Sequence, residues 1–199
     1  LYDDHDSLQN MLSACKEAGN PDRILIFGST SKISFAGSGV AMMAGSRRNI
    51  EFILKKLQFQ TIGPNKLNQL RHVLFFKDLD GINEHMKKHA AILQPKFDAV
   101  LDVLDRELAD SGISKWSRPK GGYFISIDTL KGCAREVVEM AAAAGVKLTP
   151  AGATFPYGKD PDNSNIRIAP SFPSAADVKT AMELVAICIQ LVSIDKRLA

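Results

Sequence analysis

The sequence predicts an α/β protein whose alternating strands and helices give way, near residues 80–115, to a compact α+β unit. Three observations carry that expectation. Short continuous apolar runs, Ile24-Leu25-Ile26-Phe27 and Val40-Ala41-Met42-Met43-Ala44, are interleaved with stretches whose apolar residues recur every three or four positions. A helix-period pattern then runs through residues 80–111. Beyond it the strand-like and helix-like segments are short, and no internal repeat or low-complexity tract interrupts them.

Bulk properties narrow the class. The 199 residues are 45% hydrophobic and 24% charged, which excludes disorder and fibrous repeats and leaves room for one large domain or one and a half. A net charge of +3 is too small a surplus to predict binding to nucleic acid or to an acidic membrane. Cys15, Cys133 and Cys188 are odd in number, far apart and without a CxxC pair. They argue against a disulfide framework or structural zinc and favour a reducing cytoplasm. No apolar stretch approaches the roughly 18 residues of a membrane span, and no leader pattern opens the chain. It begins Leu1-Tyr2-Asp3-Asp4-His5-Asp6, without methionine or helix start, as a chain entered in its middle would.

Each element has its own signal. Leu8, Met11, Leu12 and Cys15 share one helix face over residues 7–18, and Gly19-Asn20-Pro21-Asp22 stops that helix. Residues 24–27 read as a strand buried on both faces, 28–39 as a loop of small residues and 40–44 as a second strand. Helices are expected over 47–58 and, introduced by Gly63-Pro64, over 65–77. The long helix over 80–111 should be kinked by Pro95 and capped by Gly112. Strands follow at 123–127, 146–149 and 165–169, with an alanine-rich helix at 133–144. A last helix begins at Ser174, where Ser-Ala-Ala-Asp supplies a capping hydroxyl and an acidic third residue. Val178, Met182, Val185, Ile189 and Val192 form its apolar stripe.

Chemistry concentrates in Phe27-Gly28-Ser29-Thr30-Ser31-Lys32, directly after the first strand. Hydroxyls and turn amides there suit a phosphate dianion, and a partly desolvated lysine beside a cationic group is a usable nucleophile. Two common phosphate motifs fail on inspection. Ser31 precedes Lys32 and Ile33 follows it, so the Walker order is absent, and Met42 stands where a dinucleotide loop begun at Gly37 and Gly39 needs glycine.

With Ser29-Thr30-Ser31-Lys32 after an apolar strand, the sequence resembles the fold-type-I pyridoxal-phosphate aminotransferases, closest to the bacterial aspartate-aminotransferase-like subgroup of class I/II. The run from Lys32 into the 40–44 strand, Pro119-Lys120-Gly121-Gly122-Tyr123-Phe124, Leu148-Thr149-Pro150-Ala151-Gly152-Ala153-Thr154-Phe155 and Asn165-Ile166-Arg167-Ile168 fit the family in order and spacing. The resemblance covers essentially the whole chain as the carboxyl-terminal half of such an enzyme. It implies that residues 1–79 end the large cofactor-binding domain, 80–111 form a connecting helix and 112–199 make the small α+β domain. Lys32 would carry pyridoxal 5'-phosphate as a Schiff base and shuttle the substrate proton. Ser29 and Ser31 would hold the cofactor phosphate. Arg167, 135 positions after Lys32, would clamp the substrate α-carboxylate, a pairing that a guanidinium fork suits.

Two departures stand out. Class I relatives carry an arginine eight residues after the lysine, where this chain has Val40. The aspartate and tyrosine expected upstream of the lysine have only Tyr2, Asp3, Asp4 and Asp6 as candidates, and these lack the family's D-x-x-Y pattern. The chain is therefore expected to be a truncated piece, and the missing residues put its activity alone in question. The activity implied is transfer of an amino group between an α-amino acid, of aspartate or glutamate type, and a 2-oxo acid, in a homodimer. The alternatives are another reaction on the same cofactor, a lyase or decarboxylase, and a non-catalytic sensor domain of a transcription regulator. Among weaker candidates, Thr61-Ile62-Gly63-Pro64 could reach a neighbouring subunit's cofactor. Tyr123 and Phe124 are expected to pack the second domain, and Asp160-Pro161-Asp162-Asn163 to form a polar turn near Arg167. His72, His85 and His89 fall in helices, where surface positions are expected, although His85 and His89 are four apart, a metal-pair spacing.

Overall fold

A computed structural model describes residues 9–198. Tyr2, Asp3, Asp4 and Asp6, and the first two positions of the expected 7–18 helix, lie outside the described residues. The elements are helix α1 (Met11–Glu17), strands β1 (Leu25–Ser29) and β2 (Ala41–Gly45), and helices α2 (Arg47–Gln60), α3 (Lys66–Phe76) and α4 (Leu79–Leu108). Strands β3 (Ser114–Trp116) and β4 (Ile125–Thr129), helix α5 (Ala134–Ala143), strand β5 (Asn165–Ile168) and helix α6 (Ala175–Leu198) complete the order. Two compact units divide them, one ending at Lys88 and one running from His89 onward, with α4 contributing to both.

Short polar side chains start several of the helices. Asn10 accepts from Leu12 N and Ser13 N, Ser46 from Asn49 N and Asn65 from Asn68 N. Ser174 behaves as its sequence predicts, accepting from Asp177 N at 3.1 Å while its hydroxyl donates to Asp177 Oδ2 at 2.7 Å. Pro95 lies inside α4 without ending it.

In the first unit β1 and β2 pair antiparallel, with Leu25 opposite Gly45 and Ser29 opposite Ala41. Here the sequence reading needs correcting twice. The strand extends through Gly28 and Ser29, which were expected to be loop, and it is not buried on both faces. Phe27 is 71% exposed and Met42 58%, because the described residues leave those side chains largely uncovered on the faces of this two-stranded ribbon. Phe76 is the sole buried apolar side chain among the described residues of this unit.

The second unit holds a dense core. Its sheet runs β3-β4-β5, all antiparallel, with Ile125 opposite Ile168 and Ile127 opposite Ile166. Those four isoleucines are buried on one face, packed in a cluster with Phe97 and Leu104 of α4, Val137 of α5 and Val185 and Ile189 of α6. All five residues of the predicted α6 stripe are buried. Period two on the strands and period 3.6 on the helices thus meet in one apolar layer.

The expected strand at 146–149 does not form. Gly145, at φ +95°, ends α5 in the left-handed region, so Gly145 N donates to Ala142 O and Val146 N to Ala141 O. This is the glycine helix stop in which the next N–H folds back onto the helix, leaving Val146 unavailable to a ladder. The loop leading to β5 is organised by Asp160, whose carboxylate accepts from the backbone N–H groups of Asp162, Ser164 and Asn165 at 2.8–3.0 Å. Burial pushes this carboxyl up, but the amide donors outweigh it and hold it below the ordinary aspartate value.

Two expectations follow. Phe97→Ala should cost about 3–5 kcal/mol through the cavity it leaves, read as a fall in the urea midpoint. Because the folded-state value of Asp160 is depressed, its stabilisation is complete above about pH 4 and is lost as pH falls through that lower value. Asp160→Asn should therefore be less stable than the parent at pH 7, and the gap in unfolding midpoint should close in acid.

Candidate functional site

The ends of β1 and β2 set the base of the lysine loop. Beyond the Ser29–Ala41 pair, Thr30 N donates to Val40 O at 2.9 Å, and Val40 N donates to Thr30 Oγ1 at 2.8 Å. Thr30 O then accepts from Ile33 N at 2.9 Å and Ser34 N at 2.8 Å, closing a single tight turn over Ser31, Lys32 and Ile33. Lys32 stands on that turn, exposed. Ser29 and Ser31, also exposed, bring their hydroxyl oxygens within 2.5 Å of each other, and Ser31 N donates to Ser29 Oγ. Val40 is bound into the loop by its backbone.

Gly39 allows the returning chain to pass against the turn. A Cβ there would stand 2.8 Å from Ser31 Oγ and 3.1 Å from both Ser31 Cα and Ser31 N. Any side chain at 39 would push into the backbone beside Lys32.

Helix α3 holds this loop from the side. Asn68 Nδ2 donates to Ser38 O at 2.6 Å and Gly39 O at 3.2 Å. One turn later, His72 Nε2 lies 2.7 Å from Ser34 Oγ and 3.2 Å from Thr30 Oγ1. His72 is buried, at 9% exposure, and is not the surface residue its helical position suggested. His85 packs edge-on against Phe75 and Phe76.

Arg167 belongs to the other unit. On β5 it sits opposite Ser126, on the sheet face turned away from the core, together with Asn165. Asn165 Nδ2 donates to Ser126 Oγ and Asp128 Oδ1 at 2.8 and 2.7 Å, and its Oδ1 accepts from Thr154 at 3.0 Å. The sequence reading singled out none of these four polar residues as a network. The Arg167 guanidinium lies 4.5 Å from the centre of the Phe124 ring, and its Nε is buried without a hydrogen-bond partner. Phe124, 45% exposed, therefore stacks on the arginine rather than filling the core, while Tyr123 does pack against the core. Arg167 also lines a cavity of about 310 Å³ together with Leu148, Thr149 and Met182.

Chemically, the first unit offers a lysine on an exposed turn that also carries two converging hydroxyls, a set of groups that suits a phosphorylated carbonyl compound. The second offers a planar cation, oriented on an aromatic face, with an N–H unspent.

The chain spans a little under half the length of the curated relatives it matches. A Corynebacterium glutamicum protein named aspartate aminotransferase is 43% identical over 195 residues, covering 98% of this chain and 45% of the relative. A Mycolicibacterium smegmatis protein, itself assigned to the aminotransferases only provisionally, is 46% identical over 186 residues, covering 94% of this chain and 44% of the relative. The crystal structure of an aspartate transaminase from Corynebacterium glutamicum superposes with a TM-score of 0.91 at 42% identity, over 98% of this chain and 46% of that one. The profile of the family described as aspartate amino-transferase matches residues 1–199, and the chain belongs to that family.

Proposed function

We propose that the protein is a pyridoxal-phosphate-dependent transaminase moving an amino group between an α-amino acid, of aspartate or glutamate type, and a 2-oxo acid. The observation that carries this reading is the exposed Lys32 turn with its paired serine hydroxyls, in a chain belonging to the aspartate amino-transferase family. The name of the Corynebacterium relative supports the substrate class. When bound, pyridoxal phosphate supplies an aldehyde that condenses with amines and an electron-poor ring that acidifies the neighbouring Cα–H bond.

The residues divide the remaining work. Ser29 and Ser31 hold the phosphate through their hydroxyls, and with Val40 uncharged the phosphate relies on such donors and on turn amides. Lys32 would hold the cofactor through its Nζ amine, and the same Nζ would take the substrate Cα proton and return it, as general base and then acid. Arg167 pairs with the substrate α-carboxylate, and Phe124 keeps its guanidinium plane in place, so that the Cα–H bond is presented in a fixed direction. On this reading residues up to 79 belong to the large cofactor-holding domain, 80–111 to a connecting helix and 112–199 to the small domain. The protein works as a homodimer in the cytoplasm. Three cysteines without disulfides suit that compartment, and the exposed Thr61–Pro64 segment is available to a second subunit.

Borohydride reduction of the native protein, followed by peptide mapping, should mark Lys32. Lys32→Ala should lose both the mark and the cofactor's absorbance in the near ultraviolet and visible; a mark on a different amine, or none, overturns the assignment. Arg167→Lys replaces a two-point pair by a point charge and should raise KM for the amino donor by about tenfold or more. Steady-state kinetics at varied donor concentration would show it.

A further inference from the structure

The lysine turn is fastened to α3 by a connected set of hydrogen bonds centred on a histidine. His72 Nδ1 lies 2.8 Å from Asn68 O, a carbonyl that can only accept, so Nδ1 carries a hydrogen and the ring's orientation is fixed by its own helix. The opposite ring nitrogen faces the loop, with Ser34 Oγ at 2.7 Å and Thr30 Oγ1 at 3.2 Å. Those two hydroxyls are 3.0 Å apart, and Ser34 Oγ also lies 3.1 Å from Thr30 O, the carbonyl that closes the turn under Lys32. Thr30 Oγ1 in turn accepts from Val40 N, where the loop rejoins β2. A line of contacts thus runs from β2 through Thr30 and Ser34 to His72 and back into α3.

We infer that His72 is the positioning residue of the Lys32 loop, fixing through Ser34 and Thr30 the turn that presents the lysine amine. The inference rests on the proposed role of Lys32 for its meaning in catalysis, although the contacts themselves do not depend on it. Three features favour positioning over plain packing. A core histidine needs a partner at each ring nitrogen, but here both loop-side partners are the two hydroxyl residues that bracket Lys32, two positions away on either side. Phe35 packs edge-on against the same ring, with centroids 5.4 Å apart, so the far end of the turn leans on it too. Asn68, one helical turn before His72, holds the returning strand of the loop at Ser38 and Gly39. The two residues, at i and i+4 on one helix face, therefore grip both limbs of the loop.

The test uses hydrogen exchange, read by mass spectrometry on the full chain without added cofactor. His72→Leu keeps bulk and removes both ring nitrogens; His72→Gln keeps an oxygen able to accept from Ser34. Ser34→Ala removes the loop's side of the contact and leaves α3 intact. His72→Leu and Ser34→Ala should each speed exchange at the amides of Ile33 and Ser34 by about three- to tenfold, the effect of one lost net hydrogen bond. Exchange in β4 and β5 should stay unchanged. His72→Gln should restore much of the protection. The double variant His72→Leu/Ser34→Ala should exchange no faster than the worse single, since both remove one shared contact. Equal effects of Leu and Gln, additive effects in the double variant, or loss of protection throughout the chain would each overturn positioning in favour of packing.

A second readout separates this claim from the role of Lys32. In protein supplied with pyridoxal phosphate, borohydride trapping at Lys32 should slow in His72→Leu and Ser34→Ala and recover in His72→Gln. If trapping marks Lys32 equally well in all variants, the loop is held but the amine is not positioned by it, and the inference fails. If the parent protein is never marked at Lys32, the transaminase reading fails, while the exchange data still decide whether His72 fixes the turn.

Discussion

The carbonyl of Thr30 is the point on which the site depends. It lies just past the last paired residue of β1 and accepts from two amides, those of Ile33 and Ser34, so the chain must turn back within three residues. That single constraint lifts Lys32 out of the strand direction and puts Ser29 and Ser31 side by side. Cross-strand pairing supplies the fixed end, because Ser29 is opposite Ala41 and cannot slip without moving the whole ribbon by one residue. Helix α3 supplies the other. On the proposed role of Lys32, a flexible loop would lose most of the advantage of orientation, and the hydrogen bonds around Thr30 are what oppose that flexibility.

The second unit solves a different problem with the same economy. Its three-stranded sheet has an isoleucine face packed into the core and a polar face carrying Ser126, Asp128, Asn165 and Arg167. Asn165 satisfies Ser126 and Asp128 at once, so the carboxylate of Asp128 is engaged by an amide. Arg167, two residues along the same face, is left to lean on Phe124. A guanidinium held by an aromatic ring is oriented but not neutralised, which is the state an incoming anion requires.

Much of this could be read from residue order. The helices announced themselves by apolar spacing and by capping residues, Ser174 most clearly, and β5 by Asn165 to Ile168 with its alternating isoleucines. The turn from Ser29 to Lys32 is local, so four consecutive positions are enough to bring those side chains together. What escaped was set by distance along the chain. His72 looked like a surface helix residue because Thr30 and Ser34 lie 42 and 38 positions before it. The Asn165 network needed the β4–β5 register, which no single segment encodes. Val146 carried β-branched character suited to a strand, but the glycine before it redirected its N–H to a helix end. Phe27 read as core because its neighbours are apolar, and burial is decided by what packs on a strand rather than by the strand.

The uneven burial of the two units bears on what each one needs. Among the described residues of the first unit, Phe27, Met42, Phe52 and Phe59 are all more than half uncovered. Apolar surface of that kind calls for cover, and left bare it promotes association. The second unit closes an isoleucine-rich interior of its own.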